Sequence, residues 1–246
     1  MPDPLILVGA AAAGFVQGVS GFALALVASV FWSGVVPPSM FGPLIAITST
    51  VGQGLSLRTV MRGFDLRRGA PMVLGGLCGI PFGVALIPLV DPWTFRLGVG
   101  LLLCVYCPAM LLLRRMPRVT FGGGWADAAA GFVGGVMGGI AGLAGPAPIL
   151  WCALRGWDRD TQRAMFQTFI IVTQAASVVA YAVAGLITME VLWVEAWVLP
   201  FAVVPSFFGV MLYSRLGGEG FRRLVLGILA VTGVALVVRA LVGGLG

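Results

Sequence analysis

The sequences GFVQGVSG (residues 14–21) and GFVGGVMG (residues 131–138) decide the fold of this chain. Each lies within an apolar stretch of nearly 30 residues, 5–32 and 126–154. One straight helix of that length would extend roughly 42 Å, which exceeds the hydrocarbon core of a bilayer. Glycine also weakens a helix interior. We therefore predict that each stretch breaks at its glycines into a hairpin with two arms of about 12 residues, each roughly 18 Å long.

The composition predicts a membrane protein. Of the 246 residues, 59% are hydrophobic and 10% are charged, whereas about a quarter of the residues in a soluble domain are charged. Six further apolar runs approach the length of about 20 residues that a membrane-spanning helix needs; they are residues 39–57, 69–90, 97–113, 164–187, 191–213 and 224–242. Their apolar residues are continuous and do not alternate as in a membrane β-barrel. The sequence thus predicts an all-α polytopic protein surrounded by lipid.

The chain contains an internal repeat. Three short motifs that follow the first glycine motif recur at offsets of 125 or 126 residues: Met40-Phe41 with Thr48 as Met165-Phe166 with Thr173, Phe82-Gly83-Val84 as Phe208-Gly209-Val210, and Phe95-Arg96 as Phe221-Arg222. Four matches in the same order indicate a tandem repeat of about 120 residues. We predict two membrane repeats, residues 1–121 and 122–246, within one transmembrane domain.

The arginines predict how the two repeats are oriented. All 15 basic residues are arginines. If all eight apolar segments crossed the membrane, the arginines would divide eight against seven between its faces. If the two glycine-rich stretches return to the face from which they enter, the division is thirteen against two, with only Arg96 and Arg239 on the minority face. The positive-inside rule favours the second arrangement. We therefore predict two inverted repeats, each a re-entrant helical hairpin plus three transmembrane helices, with both termini away from the cytoplasm.

The hairpin tips, predicted at residues 17–22 and 134–146, form the candidate binding site. A helix that begins at a tip has N–H groups without intrahelical partners and a partial positive charge, and such an end binds anions. The predicted substrate-binding residues are Gly18, Ser20, Gly21, Thr48, Ser49, Gln53, Gly135, Gly138, Gly139, Gly142, Thr173 and Gln174. Helix–helix packing is the alternative interpretation for each of these glycines and polar side chains.

Several classes of function are excluded by what the chain lacks. It has no histidine, and its cysteines and carboxylates do not cluster, so we predict no catalytic residue, no metal site and no cofactor. The motif GVSG at residues 18–21 matches the Gly-x-Ser-Gly of rhomboid proteases, which need a histidine base. The net charge of +6 is explained by arginines at loop ends, which set orientation, so no nucleic-acid partner is predicted.

Two features of the sequence each have two possible interpretations. Cys104 and Cys107 are three residues apart on one predicted helix face; we interpret them as packing residues, with a redox or sulfur-handling role as the alternative. Glu195 is the carboxylate that lies farthest inside a predicted span. A carboxylate within a membrane usually has a function, so Glu195 is either a coupling residue or a side chain that reaches the interface.

The doubled glycine motif, the repeat of about 120 residues and the chain length together resemble the TauE/SafE family of sulfite exporters. The matching segments run from Gly14-Phe15 to Gly21 and from Gly131-Phe132 to Gly145, and Phe22-Ala23-Leu24 replaces further glycines in the first half. The resemblance covers essentially the whole chain. It implies a transporter of the bacterial inner membrane for small anionic sulfur compounds such as sulfite, sulfonates or sulfoacetate. A passive anion channel and a structural membrane subunit are the alternatives, and a homodimer is compatible with the sequence.

Overall fold

The computed structural model describes residues 2–54, 66–112, 118–157, 159–213 and 219–243. Within these ranges the chain forms ten α-helices and one short 3-10 turn, and it forms no β-strand. The helices are α1 (Pro4–Ser20), α2 (Leu24–Trp32), α3 (Pro38–Gly54), α4 (Leu66–Leu86), α5 (Pro92–Leu112), α6 (Gly123–Ala141), α7 (Pro146–Leu154), α8 (Arg159–Val183), α9 (Met189–Tyr213) and α10 (Glu219–Gly243). The predicted all-α fold is confirmed.

Among the described residues, four helical segments are long and apolar enough to cross a membrane: Arg68–Leu89, Pro92–Leu112, Thr161–Val183 and Met189–Met211. They coincide with four of the six predicted spans. The predicted span at residues 39–57 corresponds to α3, and its last three residues lie outside the described ranges. The span predicted at residues 224–242 lies within α10. The chain is therefore a membrane protein.

The arginine-rich loops with Arg58, Arg62, Arg114, Arg115 and Arg215 lie outside the described residues.

Both glycine-rich stretches break, and the chain reverses direction at each break. Gly21 ends α1 with a φ of 82°, and Gly142 ends α6 with a φ of 66°; glycine adopts this left-handed conformation without steric cost. In the first half, the Trp32 indole at the end of α2 donates to the Ile6 carbonyl near the start of α1, at 3.0 Å. In the second half, Trp151 on α7 donates to Asp127 near the start of α6, at 2.7 Å. Each stretch is an antiparallel helical hairpin.

The arms of the hairpins are unequal, so the prediction of arms of about 12 residues was wrong. The first arms, α1 and α6, have 17 and 19 residues, and the second arms, α2 and α7, have nine each. The break falls at the last part of each predicted tip. The earlier glycines stay helical because they serve close contacts with another helix.

Helix α1 packs against α9 of the other half. A methyl group added at Gly14 would collide with the carbonyl of Ala202, and one added at Gly18 would collide with the carbonyl of Ser206. Both residue numbers increase together, so α1 and α9 run parallel. Glycine is required at these positions because the backbones touch, as in other membrane helix pairs.

The same contact occurs between α6 and α4. A methyl group at Gly135 would meet the carbonyl of Gly76, and one at Gly139 would meet the carbonyl of Ile80. These contacts match those of α1 with α9 when Gly14 corresponds to Gly135, an offset of 121 residues. The sequence match of GFVQGVSG with GFVGGVMG has an offset of 117 residues. The helix contacts therefore pair positions that are four residues, or about one helical turn, away from those that the sequence match pairs. Because the glycines of both motifs are spaced by four residues, glycine falls at the close helix contacts in either of these two registers.

Helices α5 and α10, which the offset of 126 residues relates, pack against each other in antiparallel orientation. The Trp93 indole donates to the Ala240 carbonyl at 2.7 Å. Seven residues later, a methyl group at Gly100 would lie 3.1 Å from the carbonyl of Gly233. As numbers rise on α5 they fall on α10, so these two corresponding helices point in opposite directions.

Candidate functional site

Tip 1, which we define as residues 21–23 between α1 and α2, is closed by its own hydrogen bonds. The Gly21 N–H donates to the Gln17 carbonyl at 2.6 Å. The Ser20 hydroxyl donates to the Val16 carbonyl at 2.7 Å and accepts from the Ala23 N–H at 3.2 Å. Ser20 therefore holds the turn that leads into α2, and its role in substrate binding stays a prediction.

Tip 1 lies against the beginning of α8. A methyl group added at Gly21 would lie 2.5 Å from Nε2 of Gln167 and 3.9 Å from a guanidinium nitrogen of Arg163. Arg163 in turn donates from Nε to Oε1 of Gln167 at 3.4 Å. The rings of Phe22 and Phe166 meet edge to face with centroids 5.8 Å apart. The sequence analysis assigned Arg163 only to membrane orientation, and the structure adds it to the surroundings of tip 1.

Tip 2, residues 142–145 between α6 and α7, is held by two other side chains of α8. Gln174 donates from Nε2 to the Gly142 carbonyl at 2.8 Å. The Tyr181 hydroxyl lies 2.7 Å from the carbonyl oxygen of Gly138 and 2.9 Å from that of Gly139. The Gly138 carbonyl also accepts from the Gly142 N–H at 2.7 Å, whereas the Gly139 carbonyl lies in the last turn of α6, where intrahelical donors run out. Sequence reasoning missed Tyr181; a tyrosine inside an apolar span was the one available signal.

The two hairpins contact α3 and α8 at different levels. On α8, tip 1 lies beside Gln167 and tip 2 beside Gln174. On α3, Gln17 of the first hairpin lies beside Gly52, and Gly142 of tip 2 lies beside Ile45. On α8 the two tips are thus seven residues apart, or about 10 Å at 1.5 Å per residue.

Thr48 and Glu195 lie between the levels at which the two hairpins contact α3. Thr48 is on α3, three residues after Ile45 and four before Gly52. Its hydroxyl donates to Oε1 of Glu195 on α9 at 2.7 Å, and both side chains are buried. The interpretation of Glu195 as a residue that reaches the interface is therefore wrong, because only 3% of the residue is exposed.

Thr173, the counterpart of Thr48 in the repeat, has a different environment. Its hydroxyl donates to the Phe169 carbonyl of its own helix at 2.7 Å. Its methyl carbon lies 2.8 Å from where a side chain at Gly76 would begin. The structure thus gives Thr173 a packing position at the contact of α8 with α4, and its role in substrate binding stays a prediction.

Several buried polar atoms around the tips have no hydrogen-bond partner among the described residues. Ser49 and Gln53 pair through Gln53 Nε2 at 2.9 Å, which leaves Gln53 Oε1 without a donor. The other such atoms are both amide atoms of Gln17, Thr168 Oγ1, Gln174 Oε1, Ser177 Oγ and Glu195 Oε2. Buried polar atoms are nearly always satisfied in proteins. This concentration of unsatisfied donors and acceptors is suited to a polar ligand.

The predicted glycines differ in what surrounds them. Gly18, Gly135 and Gly139 face neighbouring helix backbones, which corresponds to the packing alternative. Gly21 and Gly142 shape the tips through their positive φ, and a methyl group at Gly138 would lie 3.0 Å from the Ala144 side chain of tip 2. Substrate contact by any of these glycines stays a prediction.

Comparison with known proteins adds one finding. Residues 5–236 match the family model described as sulfite exporter TauE/SafE. No curated protein and no solved structure matches the chain.

Proposed function

The chain belongs to the TauE/SafE sulfite exporter family, and we propose that it transports small anionic sulfur compounds such as sulfite, sulfonates or sulfoacetate across the bacterial inner membrane. The observation that carries this proposal is the convergence of two buried hairpin tips on α8, next to buried polar atoms that have no hydrogen-bond partner among the described residues. The family supplies the sulfur chemistry of the substrate, and the residues at the tips supply the preference for an anion.

We further propose that the two halves are inverted repeats and that both hairpins are re-entrant. The antiparallel pairing of α5 with α10 and the parallel contacts of each first arm with the other half support this arrangement. Each hairpin also returns to the end at which it starts. Inverted repeats with broken helices at the substrate site are a recurring plan of secondary transporters.

Tip 1 is the stronger of the two anion-binding ends. The first three residues of α2, Leu24 to Leu26, all have N–H groups that lack intrahelical acceptors. In α7 two of the first three residues are Pro146 and Pro148, which have no N–H to donate. The guanidinium of Arg163 adds a positive charge beside tip 1, and guanidinium groups bind oxyanions well.

The described conformation is closed around both tips. Gly21, Ala23 and residues 141–146 are buried. A substrate therefore reaches the tips only when helices around them move, which favours alternating access over a passive channel.

Counterflow in liposomes tests the proposed function. We expect purified protein to take up labelled sulfite or ethanesulfonate with saturation, and uptake should accelerate when unlabelled substrate is trapped inside. A channel would conduct without this acceleration, and a structural subunit would show no uptake.

A charge variant tests the assignment of tip 1. Arg163→Gln should weaken anion affinity roughly tenfold, because a positive charge a few ångströms from the anion is lost. Arg96→Gln is the matched control, since Arg96 is exposed and donates to the Ser33 carbonyl at 2.9 Å at the end of the first hairpin away from tip 1. Equal affinities of Arg163→Gln and the unaltered protein would contradict anion binding at tip 1.

A further inference from the structure

Glu195 is a buried carboxyl group with an incomplete set of hydrogen bonds. Its Oε1 accepts from the Thr48 hydroxyl at 2.7 Å, and its Oε2 has no partner among the described residues. It lies in the apolar segment Met189–Met211, six residues after the start of α9. An ionised carboxylate taken out of water needs a cation or several donors to be stable.

The helices around Glu195 provide no cation. Helices α1 and α3 pack against α9, and neither contains a basic residue or any other ionisable residue. The other acidic side chains nearby are Glu190 on α9 and Asp3 before α1, and both are exposed. Arg163, the charged residue beside tip 1, donates to Gln167. With one hydroxyl donor and no adjacent cation in the described part of the chain, the carboxyl is stable here in its neutral, protonated form.

The position of Glu195 makes the affinity for the anion depend on whether the carboxyl is charged. Thr48, which holds the carboxyl, lies on α3 between the levels at which the two hairpins contact that helix. An anion at the tips would therefore be on the order of 10 Å from the carboxyl. At that distance and an effective dielectric constant of about 20, a carboxylate would weaken anion binding roughly tenfold. Protonation removes the repulsion, so the proton and the anion favour each other's binding, and this linkage is reciprocal.

We propose that Glu195 binds one proton with each anion, which makes the protein a proton–anion symporter. This inference rests on the proposed function. When the site opens to water, the carboxylate takes a proton on Oε2 and becomes a carboxylic acid as the anion binds. On the other side the anion leaves and the O–H bond releases its proton to water. The protonated Glu195 then adds no negative charge to the closed site, in which the tips and Arg163 stabilise the anion.

Ethanesulfonate is the appropriate probe because a sulfonate stays ionised between about pH 4 and pH 9, the range spanned by exposed and buried glutamates. It brings no proton of its own, as bisulfite would. At the upper end of that pH range, where the carboxyl is ionised whenever the site is open to water, we expect unaltered protein in weakly buffered solution to take up protons when ethanesulfonate binds. Its affinity should fall roughly tenfold as the pH rises through that range, because the deprotonated carboxyl repels the anion.

Glu195→Gln keeps the shape of the neutral acid and cannot titrate. This variant should bind ethanesulfonate at every pH with the affinity that the unaltered protein has at low pH, and it should take up no proton. Glu190→Gln is the matched control on the same helix, and it should keep the pH dependence. Glu195→Asp should keep proton uptake with a shifted midpoint, which tests the site even where the glutamine variant folds poorly.

Two results would overturn the inference. Binding of ethanesulfonate without proton uptake by the unaltered protein would show that no carboxyl is coupled to the anion. Proton uptake that persists in Glu195→Gln would place the coupling at another group. In both cases anion binding and the proposed transport function would stand, whereas failure of the unaltered protein to bind any sulfonate or sulfite would contradict the proposed function as well.

Discussion

At the scale of single residues, the second hairpin depends on polar side chains that reach it from α8. Tyr181 is fully buried, and its hydroxyl lies within hydrogen-bond distance of the Gly138 and Gly139 carbonyls near the end of α6. Gln174 donates to the buried carbonyl of Gly142 in tip 2. These two contacts fix where α6 ends and hence where tip 2 lies.

Tyr181→Phe should therefore destabilise the protein by about 1–3 kcal/mol, because it leaves a buried carbonyl without its donor while the ring still fills its space. Thermal unfolding in detergent measures the effect. Thr50→Val is the control, since the Thr50 hydroxyl donates only within its own helix, to the Ala46 carbonyl at 2.7 Å. Equal stability of Tyr181→Phe and the unaltered protein would mean that the hydroxyl does not hold the tip.

Gly14 tests the contact between α1 and α9. A methyl group there would collide with the Ala202 carbonyl, which belongs to a rigid helix backbone. Gly14→Ala should lower stability by about 1–3 kcal/mol because overpacking forces the helices apart. Gly98→Ala on α5 is the control: nothing lies within 4 Å of the added group, so this variant should be neutral or slightly stabilised by better helix propensity. Equal unfolding temperatures for the two variants would argue against backbone contact.

The sequence predicted part of the site at this scale and missed the rest for identifiable reasons. Gly21, Gly142 and Ser20 were predictable because tight turns and caps depend on local chemistry. Tyr181 was missed because its partner carbonyls are about 40 residues away along the chain, and sequence spacing carries no information on such contacts. Arg163 was interpreted as a loop residue because its proximity to tip 1 depends on how α8 packs.

At the scale of elements, the second hairpin has a polar clasp at its base. Arg155 at the end of α7 donates from Nε to Asp127 at 3.1 Å and from its terminal nitrogens to the carbonyls of Phe121 and Gly123. The Trp151 indole donates to the same carboxylate, and the guanidinium also lies 5.5 Å from the centre of the Trp151 ring. The clasp keeps the two arms together at the end opposite the tip.

A double-mutant cycle with Asp127→Asn and Arg155→Gln measures the clasp. The residues are largely buried, with 8% and 12% of their side chains exposed, so each single variant should be clearly destabilised. We expect a coupling free energy of about 1–3 kcal/mol, as for charged groups joined by hydrogen bonds. Reversible unfolding in mixed detergent micelles provides the values. Strictly additive single effects would show that the two side chains act separately and that the hairpin does not depend on their pairing.

The elements also show where sequence reasoning reached its limit. That residues 5–32 and 126–154 break was predictable from their length and glycine content. The place of the break was not, because Gly14 and Gly18 have the same local preference as Gly21. Only the contact of α1 with α9 decides that the first two remain helical. The unequal arms therefore follow from tertiary packing.

At the scale of the whole molecule, the opposed directions of α5 and α10 have a consequence for the membrane. If the halves are inverted, the bases of the two hairpins lie on opposite faces. Gly34 follows the first hairpin, Thr120 precedes the second, and both are exposed. A cysteine at Gly34 should therefore be reached from outside the cell and one at Thr120 only from the cytoplasm, in agreement with the arginine distribution.

The experiment uses a background in which Cys78, Cys104, Cys107 and Cys152 are replaced by serine or alanine and sulfite transport is retained. A membrane-impermeant maleimide added to intact cells should label Gly34→Cys, and it should label Thr120→Cys only after permeabilisation. Asp3→Cys, at the other end of the first hairpin, should react from the same face as Gly34→Cys because the chain returns to its starting side. Opposite labelling of Asp3→Cys and Gly34→Cys would mean that the first glycine-rich stretch crosses the bilayer, and labelling of Gly34→Cys and Thr120→Cys from one face would mean that the halves are not inverted.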